Sequence, residues 1–227
     1  MKFVPPNYGL SRFSSLDVWH HPAETDEVVT TVASLVSDVA DKMESEVGHE
    51  LSSPLHLCIY RTNGEACGAL GRDVPATMLM APCIGPDRSL IVCQSPQADP
   101  RNGDWRRMQR HLAHELAHVM LADLTGGASS LGDGGRLIRV RPWFDEGFAE
   151  VAAAFVCARR DIIESYEAAS PGDPWDEEEL DGALTDIASP RRSEAFAEAV
   201  RRIHVRCRGG TLREVFHSAL QVAPRTA

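Results

Sequence analysis

The chain has 227 residues, 43% of them apolar and 25% charged, a composition suited to one globular domain with a real core. Its formal net charge of −10 sets it against polyanions, so neither nucleic acid nor an anionic membrane is expected as a partner. No apolar run approaches the roughly eighteen residues of a membrane span, and MKFVPPNYGL lacks the apolar stretch of a secretory leader, so a cytoplasmic location is expected.

Residues 1–24 read as an irregular N-terminal segment, because Pro5, Pro6 and Pro22 interrupt regular structure. Residues 25–227 read as a single domain. From Thr25 to about Gly48, Val28, Val29, Val32, Leu35, Val36, Val39 and Met43 recur at three- and four-residue steps with acids between them. That spacing predicts an amphipathic helix capped at Thr25 or Asp26. Leu55–Arg61 alternates and is partly β-branched or aromatic, which predicts a strand. Residues 62–87 are rich in Gly and Pro and read as a connection holding one short strand at Thr77–Ala81; Ser89–Gln94 is the clearest strand in the chain.

After a turn-rich stretch at 95–103, a helix is expected from Asp104 to about Leu124, with an apolar stripe of Met108, Leu112, Leu116, Val119 and Met120. Thr125–Gly135 has the composition of a glycine-rich loop. Pro142 then suits the first turn of another helix, expected to run to about Arg160. Further helices are expected near Trp175–Ile187, Pro190–Arg208 and Leu212–Leu220. The fold class is therefore α+β: a helix, a small sheet and a central helix within 25–123, then a mainly α-helical half over 136–227. The six cysteines form no CxxC pair, so reduced and largely buried thiols are expected.

Chemistry concentrates in His114-Glu115-Leu116-Ala117-His118. On a helix, positions i and i+4 lie about 40° apart and about 6 Å along the axis, so both imidazoles can reach one ion. Glu115 sits one step round from His114, beside the ion's open side, where it can take a proton from water. Bound zinc lowers the pKa of its water to about 7, which supplies a nucleophile at neutral pH. Two imidazoles need a third ligand, and no His follows at the spacing of a three-histidine site, since His118 is followed by VMLADLTG. Trp143-Phe144-Asp145-Glu146-Gly147-Phe148-Ala149-Glu150 offers acids instead. Glu146 and Glu150 share a helical face, so one can bind the ion while the other accepts an N–H from a ligand His; Asp145 is a rival. Gly147 and Ala149 would keep this helix slim against the HELAH helix.

HELAH followed by WFDEGFAE resembles the gluzincin metallopeptidases, the thermolysin-like and aminopeptidase-like group also called peptidase MA-like. The resemblance covers roughly residues 54–160. It implies a zincin-like fold and a metalloprotease hydrolysing peptide or protein substrates with one zinc ion. It also implies His114, His118 and Glu146 as metal ligands, Glu150 as the partner of a ligand His, and Glu115 as catalytic base. The family places a sheet edge beside the active-site helix for an extended substrate; Ser89–Gln94 is the candidate.

The interval from His118 to Glu146 is longer than is common in that family. Many relatives carry a late Tyr or His that stabilises the oxyanion, but SEAFAEAVRRIH holds no Tyr, leaving Tyr166 and His204 as substitutes. A catalytically weak or inactive peptidase-like binding module is therefore the alternative. A di-iron bundle built on Glu46–His49 and Glu115–His118 would need four long helices, which residues 53–103 are too rich in Pro and Gly to support.

Overall fold

A computed structural model describes residues 4–14, 16–70, 80–85, 88–97, 104–126, 140–169 and 175–222. Five strands form one sheet: β1 (Gly9–Arg12), β2 (Leu16–His20), β3 (Leu55–Tyr60), β4 (Met80–Gly85) and β5 (Arg88–Gln94), in the order β1-β2-β3-β5-β4. The inner strands β2, β3 and β5 are parallel, and each outer strand pairs antiparallel with its neighbour. Parallel neighbours need a crossover, and α1 (Asp26–Val47) supplies it between β2 and β3. Thr25 caps α1 by accepting from the Val28 amide, and Gly48 closes it in the left-handed conformation at φ 65°.

β3 is buried on both faces. Leu57 and Ile59, with Ile91 and Cys93 of β5, join the main core under α1. Cys58 and Tyr60, with Leu90 and Val92, face a smaller cluster that Tyr8 and Ala66 complete. The period of two thus splits each inner strand between two cores.

The N-terminal segment is not irregular: β1 and β2 lie within it. The prolines at 5, 6 and 22 bracket these strands rather than interrupt them, and Leu16 and Val18 alternate into the main core. Residues 62–87 also hold an unexpected helix, α2 (Asn63–Leu70). Its start is a reciprocal cap: the Glu65 amide donates to Thr62 Oγ1 at 3.1 Å and the Thr62 amide to Glu65 Oε2 at 3.2 Å. The short strand expected at Thr77–Ala81 runs instead from Met80 to Gly85; 77–79 lie outside the described residues, as does most of the glycine-rich loop at 125–135.

The helical half contains α3 (Trp105–Thr125), α4 (Pro142–Val156), α5 (Arg160–Ala169), α6 (Glu177–Thr185), α7 (Arg192–Arg208) and α8 (Leu212–Val222). α4 is buried around most of its circumference and packs against both α3 and α7. Pro142 opens it, and Asp181 of α6 takes the role of the missing cap by accepting the Trp143 amide at 3.0 Å and Arg141 Nε at 2.7 Å. The helix expected through Arg160 stops early. The Ala158 amide bonds Phe155 O, the Arg159 amide bonds Ala154 O, and Ala158 takes φ 53°. This Schellman-type stop uses Ala where Gly is usual, so the sequence carries no visible punctuation there.

Among the described residues no helix is long and apolar enough to cross a membrane. Among the described residues Cys93, Cys157 and Cys207 are free thiols.

Candidate metal centre

α3 carries the first part of the site. Asp104 caps it by accepting the Arg106 and Arg107 amides at 3.1 and 3.2 Å. Met108, Leu112, Leu116 and Met120 bury one side in the main core. The helix is thereby fixed in rotation, and His114 and His118 are turned towards α4.

Three ligand atoms converge between the two helices. His114 Nε2 lies 3.1 Å from His118 Nε2, and Glu146 Oε2 lies 3.7 Å from the first and 3.8 Å from the second. A tetrahedral ion with bonds of about 2.0–2.2 Å separates its ligands by about 3.4 Å, so this triangle is the size of one tetrahedral face. Together His114, His118 and Glu146 could hold a metal ion.

The other imidazole nitrogens are occupied. His118 Nδ1 faces Asp145 Oδ1 at 2.6 Å, and His114 Nδ1 faces Glu150 Oε2 at 3.1 Å. A carboxylate only accepts, so each Nδ1 carries the proton and each Nε2 turns a lone pair inward. Two lone pairs and a carboxylate oxygen facing one another need a shared cation, whether a proton or a metal. The electrostatics agree. Burial lowers the His114 pKa, yet Glu146 and Glu150 raise it well above 6.5. Burial opposes charge on His118 too, and Asp145 raises it. Protons and metal therefore compete for the same place.

Glu115 is half-buried beside this triangle. Desolvation raises its pKa, with His114 and His118 pulling it down and Glu146 and Asp145 adding to the rise. A carboxylate so displaced is a better proton acceptor than an exposed one. His111, one turn earlier, is held neutral: burial pushes it to about 4, helped by Arg110 and His114.

The structure brings together every residue of the expected cluster: His114, Glu115, His118, Glu146 and Glu150. Asp145 is no rival ligand but the partner of His118. Its role was not visible in an i, i+4 pattern, because it reaches His118 across the helix crossing. Arg110 was also missed; it donates to the Glu150 carboxylate that holds His114. Its signal is its place on α3 one turn before His114, where an acid's partner can sit.

Three expectations need correction. Gly147 does not slim α4 against α3. A methyl group there would meet the Ala199 carbonyl oxygen at 2.5 Å and Ile203 Cγ1 at 3.0 Å, so the glycine admits α7 instead. Ser89–Gln94 is not the sheet edge, since β5 pairs with β3 on one side and β4 on the other. The edge beside α3 is β4, and Pro82, lacking an N–H, suits an outer strand. Neither proposed oxyanion donor faces the triangle. Tyr166 lies near Glu150 and Arg110, on the Nδ1 side of His114, and His204 Nδ1 pairs with Glu167 Oε1 at 2.7 Å.

Glu46 and His49 do not join the cluster; His49 Nε2 lies 2.8 Å from Asp123 Oδ2, near the far end of α3. No protein-family model matches the chain, and no curated protein matches it, so the geometry of these residues alone carries their assignment.

Proposed function

We propose that this protein is a zinc-dependent peptidase of the gluzincin type that its sequence resembles. The observation that carries this reading is the triangle of Nε2, Nε2 and Oε2 atoms at 3.1, 3.7 and 3.8 Å, with Glu115 beside it. Zinc held by His114, His118 and Glu146 supplies Lewis acidity and brings the pKa of water near 7. Asp145 and Glu150 keep both imidazoles in the Nδ1–H tautomer, so both Nε2 atoms remain available as ligands. Glu115 takes the proton of the attacking water and returns it to the leaving amine. The antiparallel strand β4 lies against α3 and, among the described residues, has no strand on its outer side, where an extended peptide would add.

Zinc content and peptide cleavage, measured together for wild type and Glu115→Gln, test the proposal. Wild type should hold one zinc per chain and cleave peptides; the variant should keep the zinc and lose cleavage.

A second reading is favoured by the placement of Tyr166 beside Glu150 and of His204 on Glu167, which leaves the oxyanion without either donor. In it the same site belongs to a weak or inactive relative that binds peptides. Full zinc occupancy with no cleavage across a broad peptide library would select it.

A further inference from the structure

The two imidazoles of the cluster are held very differently. His118 leans on one deeply buried acid, Asp145. His114 leans on Glu150, which is itself held from outside by Arg110. Glu150 Oε1 accepts from Arg110, while Oε2 faces His114 Nδ1, so the carboxylate is bridged and cannot rotate without breaking one contact. The Tyr166 hydroxyl is near enough to Glu150 and Arg110 to feel both charges. Tyr166 also packs edge-on against Phe196 at 5.5 Å, and Phe196 stacks with the His114 ring at 6.5 Å and 28°. One imidazole is thereby enclosed by groups from α3, α4, α5 and α7.

We infer that Arg110 and Tyr166 are positioning residues for the metal centre, acting through Glu150 to aim His114. This rests on the metal-site reading above. Glu150 is almost fully buried, and a buried carboxylate stays in place only while its oxygens are satisfied. Arg110 supplies charge and fixes the plane of the carboxylate; Tyr166, packed on Phe196, brings α5 and its hydroxyl dipole up to the same pair. The Schellman-type stop at Cys157–Arg159 turns the chain out of α4 before α5 starts, which lets Tyr166 fold back onto Glu150.

The test is zinc affinity by competition with a chelator, read together with ¹⁵N signals of the histidine rings. Removing an outer partner of a ligand His typically costs about 10–100-fold in metal affinity. Arg110→Met is expected to weaken zinc binding by about 10-fold, at the low end of that scale, Arg110→Lys by less, and Tyr166→Phe by about 3-fold, below it, because Tyr166 acts one step further from the imidazole. Tyr166→Phe keeps the ring and its contact with Phe196, so it removes only the hydroxyl. In both Arg110→Met and Tyr166→Phe, the His114 Nδ1–H signal should shift and exchange faster, with that of His118 unmoved. Arg110→Met should add nothing to Glu150→Gln. Unchanged affinity in all three variants, additive losses in the double variant, or equal disturbance of both histidines would overturn the inference while leaving the metal site standing. Failure of wild type itself to bind zinc would remove both.

Discussion

The middle and the C-terminal end of α3 use the same residue types for opposite purposes. At the middle of the helix, His114 and His118 give their Nδ1 atoms to acids and leave Nε2 turned inward. At its C-terminal end, Asp123 takes His49 Nε2 at 2.8 Å, the Ser52 amide at 3.1 Å and the Ser52 hydroxyl. There the acid is the hub and the imidazole spends Nε2 on it, so no lone pair faces a common point. The first arrangement could hold a cation; the second braces the link between α1 and β3. Which nitrogen the acid takes separates a site from a strut.

The largest effect that would break this comparison is the loss of a ligand. His118→Ala should abolish zinc retention, exceeding the about 10–100-fold loss that follows removal of an outer partner, whereas Asp123→Ala should leave zinc content unchanged. Metal analysis after dialysis checks both. Glu115→Gln should lower kcat by about 10²–10⁴ with zinc retained, as expected for removal of a general base. Steady-state kinetics on a cleaved peptide, beside zinc content, reads that separation.

Smaller effects sharpen the comparison through stability. Gly147→Ala should cost about 1–3 kcal/mol, since the added methyl meets backbone rather than a movable side-chain end; urea unfolding measures it. Asp123→Ala should cost about 1–2 kcal/mol at neutral pH for its lost hydrogen bonds. Burial works to raise the Asp123 pKa, but Ser52 and His49 outweigh it and hold it below 3.8. Its folded pKa is therefore depressed, so its contribution is complete above the unfolded carboxylate value of about 3.9 and fades as pH falls through the folded value. Wild type and Asp123→Ala should converge in stability below that range. The smallest expected change is a gain: Ala158→Gly relieves a left-handed Ala and should stabilise by about 0.5–1 kcal/mol, raising Tm.

Much of the site was legible in the sequence because it depends on spacing within single helices. His114, His118, Glu146 and Glu150 follow from i, i+4 geometry on two helices whose starts, marked by the Asp104 cap and by Pro142 in the first turn, are local signals. The roles of Asp145, Arg110 and Tyr166 depend on how α3, α4 and α5 cross, and no single-helix pattern encodes that. In the sheet, β3 and β5 were readable as runs of apolar and β-branched residues. β1 and β2 are short and flanked by prolines, and β4 took its edge position from pairing with β5, which strand periodicity does not specify. The missed α2 did carry a signal, the Thr62–Glu65 cap, but its glycines at 64 and 68 masked it.

Gly147 gives the ligand helix a hard stop. α4 rests on the main chain of α7, with the Ala199 carbonyl where a side chain would otherwise intervene. Main chain cannot repack as side chains do, so the azimuth of Glu146 is set by steric contact of two backbones. Drift in the volume of neighbouring apolar residues should consequently leave the bearing of that carboxylate almost untouched.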